Sequence, residues 1–258
     1  MASPRGTPDA AAWSAWHRLA AMEETPSGWH VIDRERGVLM RSYKFNKGGQ
    51  ATTFVARMGD GKLVVVSPAT GLDEAAYAEL APFGDVGALV ANNGFHHLGQ
   101  AAWRARFPQA RAFAPAVAQQ RIARKSKTPL AFESMAALAE LTGPDVGFRD
   151  VPDTKAGESW CWARTAGGHA WYASDVLINL PKPPPFPIGL LFKWTGSAPG
   201  YRVFGLAMKL ILKDKAAALR LLAADVEAHP PTTMVPGHGD VLAPATLAAD
   251  TRALVAAR

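Results

Sequence analysis

Two predicted β-hairpins lie far apart in the chain with helix–strand steps between them, and this order limits the possible folds more than any other feature. The first hairpin is predicted from two apolar runs, ATTFVARM and KLVVVSPA, joined by Gly59-Asp60-Gly61. The second is predicted from SWCWAR and HAWYASD around a turn at 165–168. Antiparallel hairpins combined with βαβ-like steps predict two sheets packed together and flanked by helices.

The chain has 258 residues and shows no linker that would divide it. It is long enough to form one large domain with a substantial core. Residues 1–36 are predicted to be a helical or irregular lead-in to the same domain, because Trp13, Trp16 and Leu19 follow a helical spacing. Residues 37–258 are predicted to form the single domain.

Composition and cysteine content predict a cytoplasmic protein. The hydrophobic content of 48% and charged content of 19% are typical of a globular domain. Cys161 is the single cysteine, which excludes an intramolecular disulfide and favours a reducing compartment. No stretch approaches the length of about 18 apolar residues that a transmembrane helix needs, and the N-terminus lacks the apolar core of a signal peptide.

The net charge of +6 is unevenly distributed. Residues 101–130 contain no Asp or Glu and seven basic residues: Arg104, Arg106, Arg111, Arg121, Arg124, Lys125 and Lys127. Such a segment is more typical of a solvated face than of a phosphate or nucleic-acid footprint. Because no known RNA-binding or zinc-finger pattern accompanies the charge, nucleic acid ranks last among the predicted partners.

Three predicted strand ends carry residues that commonly bind metals. NNGFHHLG places His96 and His97 after an apolar strand, WYASD places Asp175 at the end of the second hairpin, and VPGHGD places His238 after a further strand. Loops at strand ends direct several side chains toward one point. Imidazole and carboxylate groups together suit zinc, iron or manganese better than calcium.

Each of these residues also has a simpler interpretation. Adjacent histidines are more often part of a polar loop than a metal pair. Asp175 is compatible with capping a helix that begins near Val176. His238 is compatible with a turn whose neighbouring glycines need positive φ. The residues alone leave these alternatives open.

The three loops, in this order, resemble those of the metallo-β-lactamase superfamily over roughly residues 37–245. The resemblance implies an α/β (α+β) protein, a four-layer αββα sandwich with its metal site along one edge. The first loop of that family typically reads H-x-H-x-D-H-x-G. His97 matches the last histidine, whereas Asn92 and Gly94 stand where the first two histidines belong and His96 stands in place of the aspartate.

The position of the family's third histidine is occupied by Glu158. Of the two metal subsites that the resemblance implies, the first has therefore lost its histidines. The second is predicted to consist of His96, His97, Asp175 and His238 and to bind one divalent ion, with zinc favoured over iron or manganese; the alternative is no metal. His96 and Asp175, with Glu158 as a spare carboxylate, are the candidate catalytic residues.

The resemblance supports three functions, in decreasing order. The first is hydrolysis of an ester, thioester, lactone or phosphoester in a small-molecule substrate, for which the positive net charge permits an anionic group. The second is a non-catalytic member of the same fold that binds a small ligand or a protein partner. The third is nucleic-acid processing. The oligomeric state is left open.

The segment between the second hairpin and the last motif has two open interpretations. The Pro-rich crossing at 180–189 covers either the metal edge, as a lid, or the apolar core. A long helix is predicted over residues 201–229, and its basic, apolar beginning either packs on the sheet or touches a membrane surface.

Overall fold

The structure is a computed structural model that describes residues 22–45, 49–126 and 130–257. Within these ranges the chain forms a seven-stranded sheet, a four-stranded sheet and a two-stranded ribbon. The strands are β1 (Glu23–Glu24), β2 (His30–Asp33), β3 (Val38–Phe45), β4 (Gly49–Arg57), β5 (Leu63–Val66), β6 (Val86–Val90), β7 (Arg111–Phe113), β8 (Val146–Asp150), β9 (Ser159–Thr165), β10 (Gly168–Tyr172), β11 (Leu177–Leu180), β12 (Gly200–Val203) and β13 (Pro231–Val235).

Eight helices are described in the same ranges. They are α1 (Glu74–Ala78), α2 (Gln100–Arg106), α3 (Ala116–Lys125), α4 (Met135–Thr142), α5 (Ile188–Trp194), α6 (Gly205–Ile211), α7 (Lys215–Ala228) and α8 (Leu247–Ala256).

The large sheet has the order β1-β2-β3-β4-β5-β6-β7 and the small sheet the order β13-β10-β9-β8. The pairs β4–β5 and β9–β10 are antiparallel, which confirms both predicted hairpins. The pairs β5–β6 and β10–β13 are parallel. Within each parallel pair, the carboxyl ends of the two strands therefore lie at the same edge of the sheet.

A core between the two sheets holds them together. Phe54 and Val64 of the large sheet and Ala163 and Tyr172 of the small sheet are fully or almost fully buried in it. The rings of Phe54 and Tyr172 stack with centroids 6.1 Å apart. The alternate residues of these strands face outward and are buried too, which explains the continuous apolar runs in the sequence.

Helices bury both outer faces. On the large sheet, Trp103 and Tyr77 from the helices pack on strand residues such as Leu89. On the small sheet, Leu222 of α7 packs against Trp171 and its neighbours. The layers are therefore helix, sheet, sheet and helix, and the predicted αββα sandwich is confirmed.

The long helix predicted over residues 201–229 is wrong. The segment forms β12, α6 and α7, with a break at 212–214. Leu212 makes a β-bridge to Thr154, and the side chain of Asp214 caps α7 by accepting a hydrogen bond from the Ala217 N–H at 2.9 Å. Apolar residues continue through the break, so their spacing alone does not reveal it.

The described part of the lead-in forms strands. Residues 22–36, predicted to be helical or irregular, contribute β1 and β2 to the edge of the large sheet. Trp29 anchors them, because its buried indole N–H donates to the Ala76 carbonyl at 2.8 Å. The helical spacing of Trp13, Trp16 and Leu19 lies outside the described residues. Among the described helices, none combines the length and apolarity required to cross a membrane.

Candidate metal centre

Four strand ends bring polar side chains to one edge of the sandwich. Ser67 directly follows β5 and His96 lies in the loop after β6. Asp175 follows β10 and His238 follows β13. Because β5–β6 and β10–β13 are parallel pairs, these connections leave each sheet at its carboxyl edge, and the side chains converge between the two sheets.

His96, Asp175 and His238 form one cluster, here called the ligand group, whose nitrogen and oxygen atoms lie within 4.8 Å of one another. Oδ1 of Asp175 lies 3.3 Å from Nε2 of His96 and 3.2 Å from Nε2 of His238. Asp175 and His96 are buried, and His238 is partly exposed. Two imidazoles and one carboxylate in this arrangement fit a single zinc, iron or manganese ion.

Both imidazoles are oriented by partners behind them. Nδ1 of His238 lies 2.6 Å from the carbonyl oxygen of Gln50, so this nitrogen carries the proton and donates. Nδ1 of His96 lies 2.7 Å from the hydroxyl of Ser67, which is itself 3.1 Å from the hydroxyl of Tyr43. Contacts of this kind fix the ring and leave Nε2 facing the ligand site, as in metal-binding histidines.

Charge interactions within the ligand group favour an anionic carboxylate. Burial alone would raise the pKa of Asp175, but the neighbouring His96 and His238 hold that pKa well below its ordinary value. Burial would lower the pKa of His238, but its interactions with Asp175 and Gln50 raise it instead. A proton on Nε2 of His238 therefore competes with a metal ion for the same lone pair.

A second set of polar residues, here called the buried network, lies behind the ligand group and consists of Asn92, Asn93, Glu158 and Ser174. Nδ2 of Asn93 donates to Oδ2 of Asp175 at 2.9 Å and to Oε2 of Glu158 at 3.3 Å. Ser174 donates to Oε1 of Glu158 and accepts from the Asn92 amide. Ser174 therefore links Asn92 to Glu158 behind the ligand group, whereas Oδ1 of Asn92 has no hydrogen-bond partner among the described residues.

Glu158 is placed behind the site and not in its cavity. It is 1% exposed, and its Oε1 also accepts from the N–H of Ser159 at 3.0 Å. Burial, together with the negative charge of Asp175, raises the pKa of Glu158 well above its ordinary value. This geometry suits a positioning role through Asn93.

His97 lies outside the ligand group. Its half-buried side chain lines the cavity, and its buried Nδ1 has no hydrogen-bond partner in the described part of the chain. Burial lowers the pKa of this imidazole. The structure thus brings together three of the four predicted metal ligands, and His97 is available to contact a bound molecule instead.

Gly94 stands where the family has its second histidine and has no room for a side chain. A Cβ atom there would lie 2.4 Å from Cδ of Arg121 and 2.9 Å from the carbonyl oxygen of Ala156. Two groups therefore block a side chain at this position: the side chain of Arg121 and the backbone carbonyl of Ala156. The tight packing at this position explains why the first loop carries glycine here.

A cavity of about 510 Å³ opens over the ligand group. Its walls are mainly apolar and include Phe45, Phe95, Phe204 and Leu210. A second cavity of about 750 Å³ shares Phe45, Phe204 and His238 with the first and is lined on its other side by the Pro-rich segment, including Pro184, Pro185 and Phe186. Together they provide an apolar path that reaches the ligand group.

Part of the basic segment borders the first cavity. Arg121 and Lys125 line it, and the Arg121 guanidinium lies 4.0 Å from the centroid of the Phe95 ring. Nε of Arg121 is buried without a hydrogen-bond partner among the described residues. Other cations of the segment are already paired, Arg106 with Glu74 and Arg111 with Glu133. Lys127 lies outside the described residues.

Sequence reasoning missed the residues that hold the ligand group and the buried network in place. Ser67 and Ser174 each follow a predicted strand, and both adopt a positive φ, 54° and 52° respectively. A polar residue directly after an apolar strand was therefore a usable signal. Gln50 carried no such signal, because it contributes only its backbone carbonyl.

No family model matches the chain, and no curated protein matches it in sequence. Solved structures do match. The FIM-1 metallo-β-lactamase from Pseudomonas aeruginosa, in its mono-zinc form, is 15% identical with a TM-score of 0.55, covering 91% of this chain and 96% of that one. A metallo-β-lactamase from Erythrobacter litoralis is 14% identical, with a TM-score of 0.56 and coverages of 92% and 100%. The DIM-1 metallo-β-lactamase is 10% identical, with a TM-score of 0.54 and coverages of 86% and 94%.

Proposed function

Because the chain has the metallo-β-lactamase fold, we propose that it is a hydrolase that uses one divalent metal ion, preferably zinc, held by His96, Asp175 and His238. The observation that carries the proposal is the ligand group itself, with its three donor atoms within 4.8 Å of one another. When bound, the ion supplies Lewis acidity, which polarises a carbonyl or phosphoryl oxygen and acidifies a water molecule. The mono-zinc form of FIM-1 supports a single ion on this fold.

The residues around the ligand group have separate tasks in this proposal. Three protein ligands leave one tetrahedral position open, which is the arrangement of catalytic rather than structural zinc sites. Asp175 supplies the negative charge, and Ser67 and Gln50 hold the two imidazoles in position. Glu158 is a positioning residue, because it fixes the Asn93 amide that donates to Asp175.

We infer that the substrate is an ester, thioester, lactone or phosphoester with an anionic group. Arg121 and Lys125 lie on the cavity wall, where their positive charge favours a carboxylate or phosphate. The apolar walls provide space for a hydrocarbon portion. An Arg121→Gln variant is expected to raise KM for an anionic ester while changing KM for a neutral ester of the same size much less.

The test is metal analysis of protein purified without chelator or histidine tag, followed by a hydrolysis screen over the four ester classes. We expect about one equivalent of metal and a turnover that Asp175→Ala abolishes. Protein that is folded yet binds neither zinc, iron nor manganese when these are added would exclude the proposal.

A non-catalytic binding protein is the second candidate, and the buried network favours it, because the side chains at one family subsite are occupied by hydrogen bonds to each other. In that case a ligand bound in the cavity would not be turned over. Metal without turnover on any ester class, together with ligand binding that survives Asp175→Ala, would support this alternative.

A cytoplasmic location remains a prediction within the same proposal. It is supported by Cys161, which is buried and whose thiol has its pKa raised by that burial. Nucleic-acid processing also remains a prediction, which the paired arginines at positions 106 and 111 do not favour.

A further inference from the structure

Six of the eight large apolar side chains that are exposed in the described residues lie on one surface. This apolar surface consists of Phe186, Ile188, Leu190, Leu191, Trp194 and Leu210, which are between 40% and 84% exposed. Monomeric proteins rarely expose large apolar side chains contiguously without a partner. The surface is separate from the ligand group, and its interpretation does not depend on the proposed hydrolase function.

Helix α5 presents this surface because the helix is packed from its other side. Gly189 and Phe192 face the protein: a Cβ at Gly189 would lie 1.9 Å from the carbonyl of Pro184, and Phe192 packs with its ring centroid 5.3 Å from that of Phe204. At about 100° per residue, Leu190, Trp194 and their apolar neighbours fall on the opposite side. The outward apolar face is therefore built into the way the helix is attached.

The segment of the chain that carries the apolar surface is basic. Residues 176–213 contain no Asp or Glu and five basic residues: Lys182, Lys193, Arg202, Lys209 and Lys213. All five are exposed, and within the described part of the chain none of them forms an ion pair with an acidic side chain. Nζ of Lys209 lies 5.8 Å from the centroid of the Trp194 ring, so basic and apolar groups are interleaved on this surface.

We propose that this surface docks on the anionic face of a lipid bilayer. Exposed Trp, Phe and Leu side chains enter the region between headgroups and acyl chains, and neighbouring lysines bind the anionic headgroups. A polar protein partner would not match six apolar side chains, and a second copy of the chain would bring two basic surfaces together. Charge complementarity therefore selects the anionic lipid.

Docking in this orientation places the cavities beside the membrane. Leu210 lines the cavity over the ligand group, and Phe186 and Ile188 line the second cavity. Molecules dissolved in the lipid therefore have a short, apolar route into both cavities.

The experiment is co-sedimentation of the whole protein with vesicles of phosphatidylcholine alone or mixed with phosphatidylglycerol. We expect strong binding to the mixed vesicles, weak binding to pure phosphatidylcholine, and loss of binding at high salt. Leu190→Ser/Trp194→Ser is expected to lower the partition coefficient by at least about tenfold. Lys193→Glu is expected to lower it by about tenfold.

Lys62→Glu is the matched control, because Lys62 is also exposed but precedes β5, at the opposite end of the strand from Ser67. The control should bind like the unmodified protein. Three results would overturn the proposal. These are no binding to mixed vesicles, equal loss in Lys62→Glu and Lys193→Glu, and a dimer in solution that Leu190→Ser/Trp194→Ser dissociates while vesicle binding is absent. The last result would assign the surface to contact between two copies.

Discussion

The ligand group and the buried network use the same kind of strand end in opposite ways. After β5, Ser67 directs its hydroxyl to His96, whose other nitrogen faces the cavity. After β10, Ser174 directs its hydroxyl to Glu158, away from the cavity. Both serines have positive φ. The difference shows that a serine at a strand end can orient a side chain toward the cavity or hold a buried carboxyl behind it, and in our proposal only the first arrangement contributes to a metal site.

Removing one of the proposed metal ligands should distinguish the ligand group from the buried network most strongly. His238→Ala is expected to reduce bound metal from about one equivalent to almost none, with at least about a hundredfold loss of metal affinity. Elemental analysis and zinc titration of the folded variant measure this. His97→Ala is the matched control, because His97 lies outside the ligand group. Equal loss of metal in both variants would show that His97 is a ligand as well.

Replacing Glu158 in the buried network should mainly affect stability. Glu158→Ala leaves a cavity and removes the acceptor of Ser174, so we expect a loss of about 3 kcal/mol in the free energy of unfolding. Glu158→Gln keeps the volume and one oxygen that accepts from Ser174 and Ser159, and should cost less than about 1.5 kcal/mol. Urea unfolding at neutral pH compares the variants. Equal losses for alanine and glutamine would show that the second oxygen of Glu158, which accepts from Asn93, matters as much as the first.

The two serines provide the most closely matched pair. Ser67→Ala removes the group that orients His96 and should lower metal affinity by about 10- to 100-fold. Ser174→Ala should leave metal affinity within about threefold and instead lower stability, by about 1–2 kcal/mol. Zinc titration and urea unfolding of both variants test the difference. If Ser174→Ala lowers metal affinity and Ser67→Ala lowers only stability, our assignment of Ser67 to the ligand group and Ser174 to the buried network is wrong.

The dependence of metal binding on pH should be weaker than the effect of removing a ligand. Because the pKa of His238 is raised, its proton competes with the metal up to a higher pH than for an ordinary histidine. Zinc affinity should fall by up to about tenfold for each unit of pH below that raised pKa. Asp175, whose pKa is lowered, stays ionised and adds no slope over this range.

Without metal, the stability of the folded protein changes with pH in the opposite direction. A raised histidine pKa contributes stability that is fully present below the ordinary value of about 6.5 and is lost as pH rises through the raised value. Thermal unfolding across pH, with and without zinc, should therefore show a stabilisation by zinc that increases with pH. A stabilisation independent of pH would exclude competition between proton and metal at His238.

The sequence predicted the features of the fold that are encoded locally. The hairpins of β4–β5 and β9–β10 follow from apolar runs interrupted by turn residues, and a glycine with positive φ, such as Gly61, ends the first run. The break at 212–214 was missed, because it depends on Leu212 pairing with the distant Thr154. Long-range contacts of this kind leave no periodic signal in the segment itself.

The candidate site was predicted as a set of loops but not in its detailed geometry. Which of two adjacent histidines turns inward depends on Asn93, whose side-chain oxygen accepts from the N–H groups of Phe95 and His96 at 2.8 and 3.2 Å. This turn directs His96 toward Asp175. No spacing rule distinguishes it from a turn that would direct His97 there instead.

The close packing at Gly94 limits how this chain could be redesigned. A histidine introduced at position 94 would meet Cδ of Arg121 and the carbonyl of Ala156. Helix α3, which carries Arg121, would have to shift before such a side chain could fit. Building a second group of metal ligands beside the proposed one therefore requires repacking of a helix as well as new ligand residues.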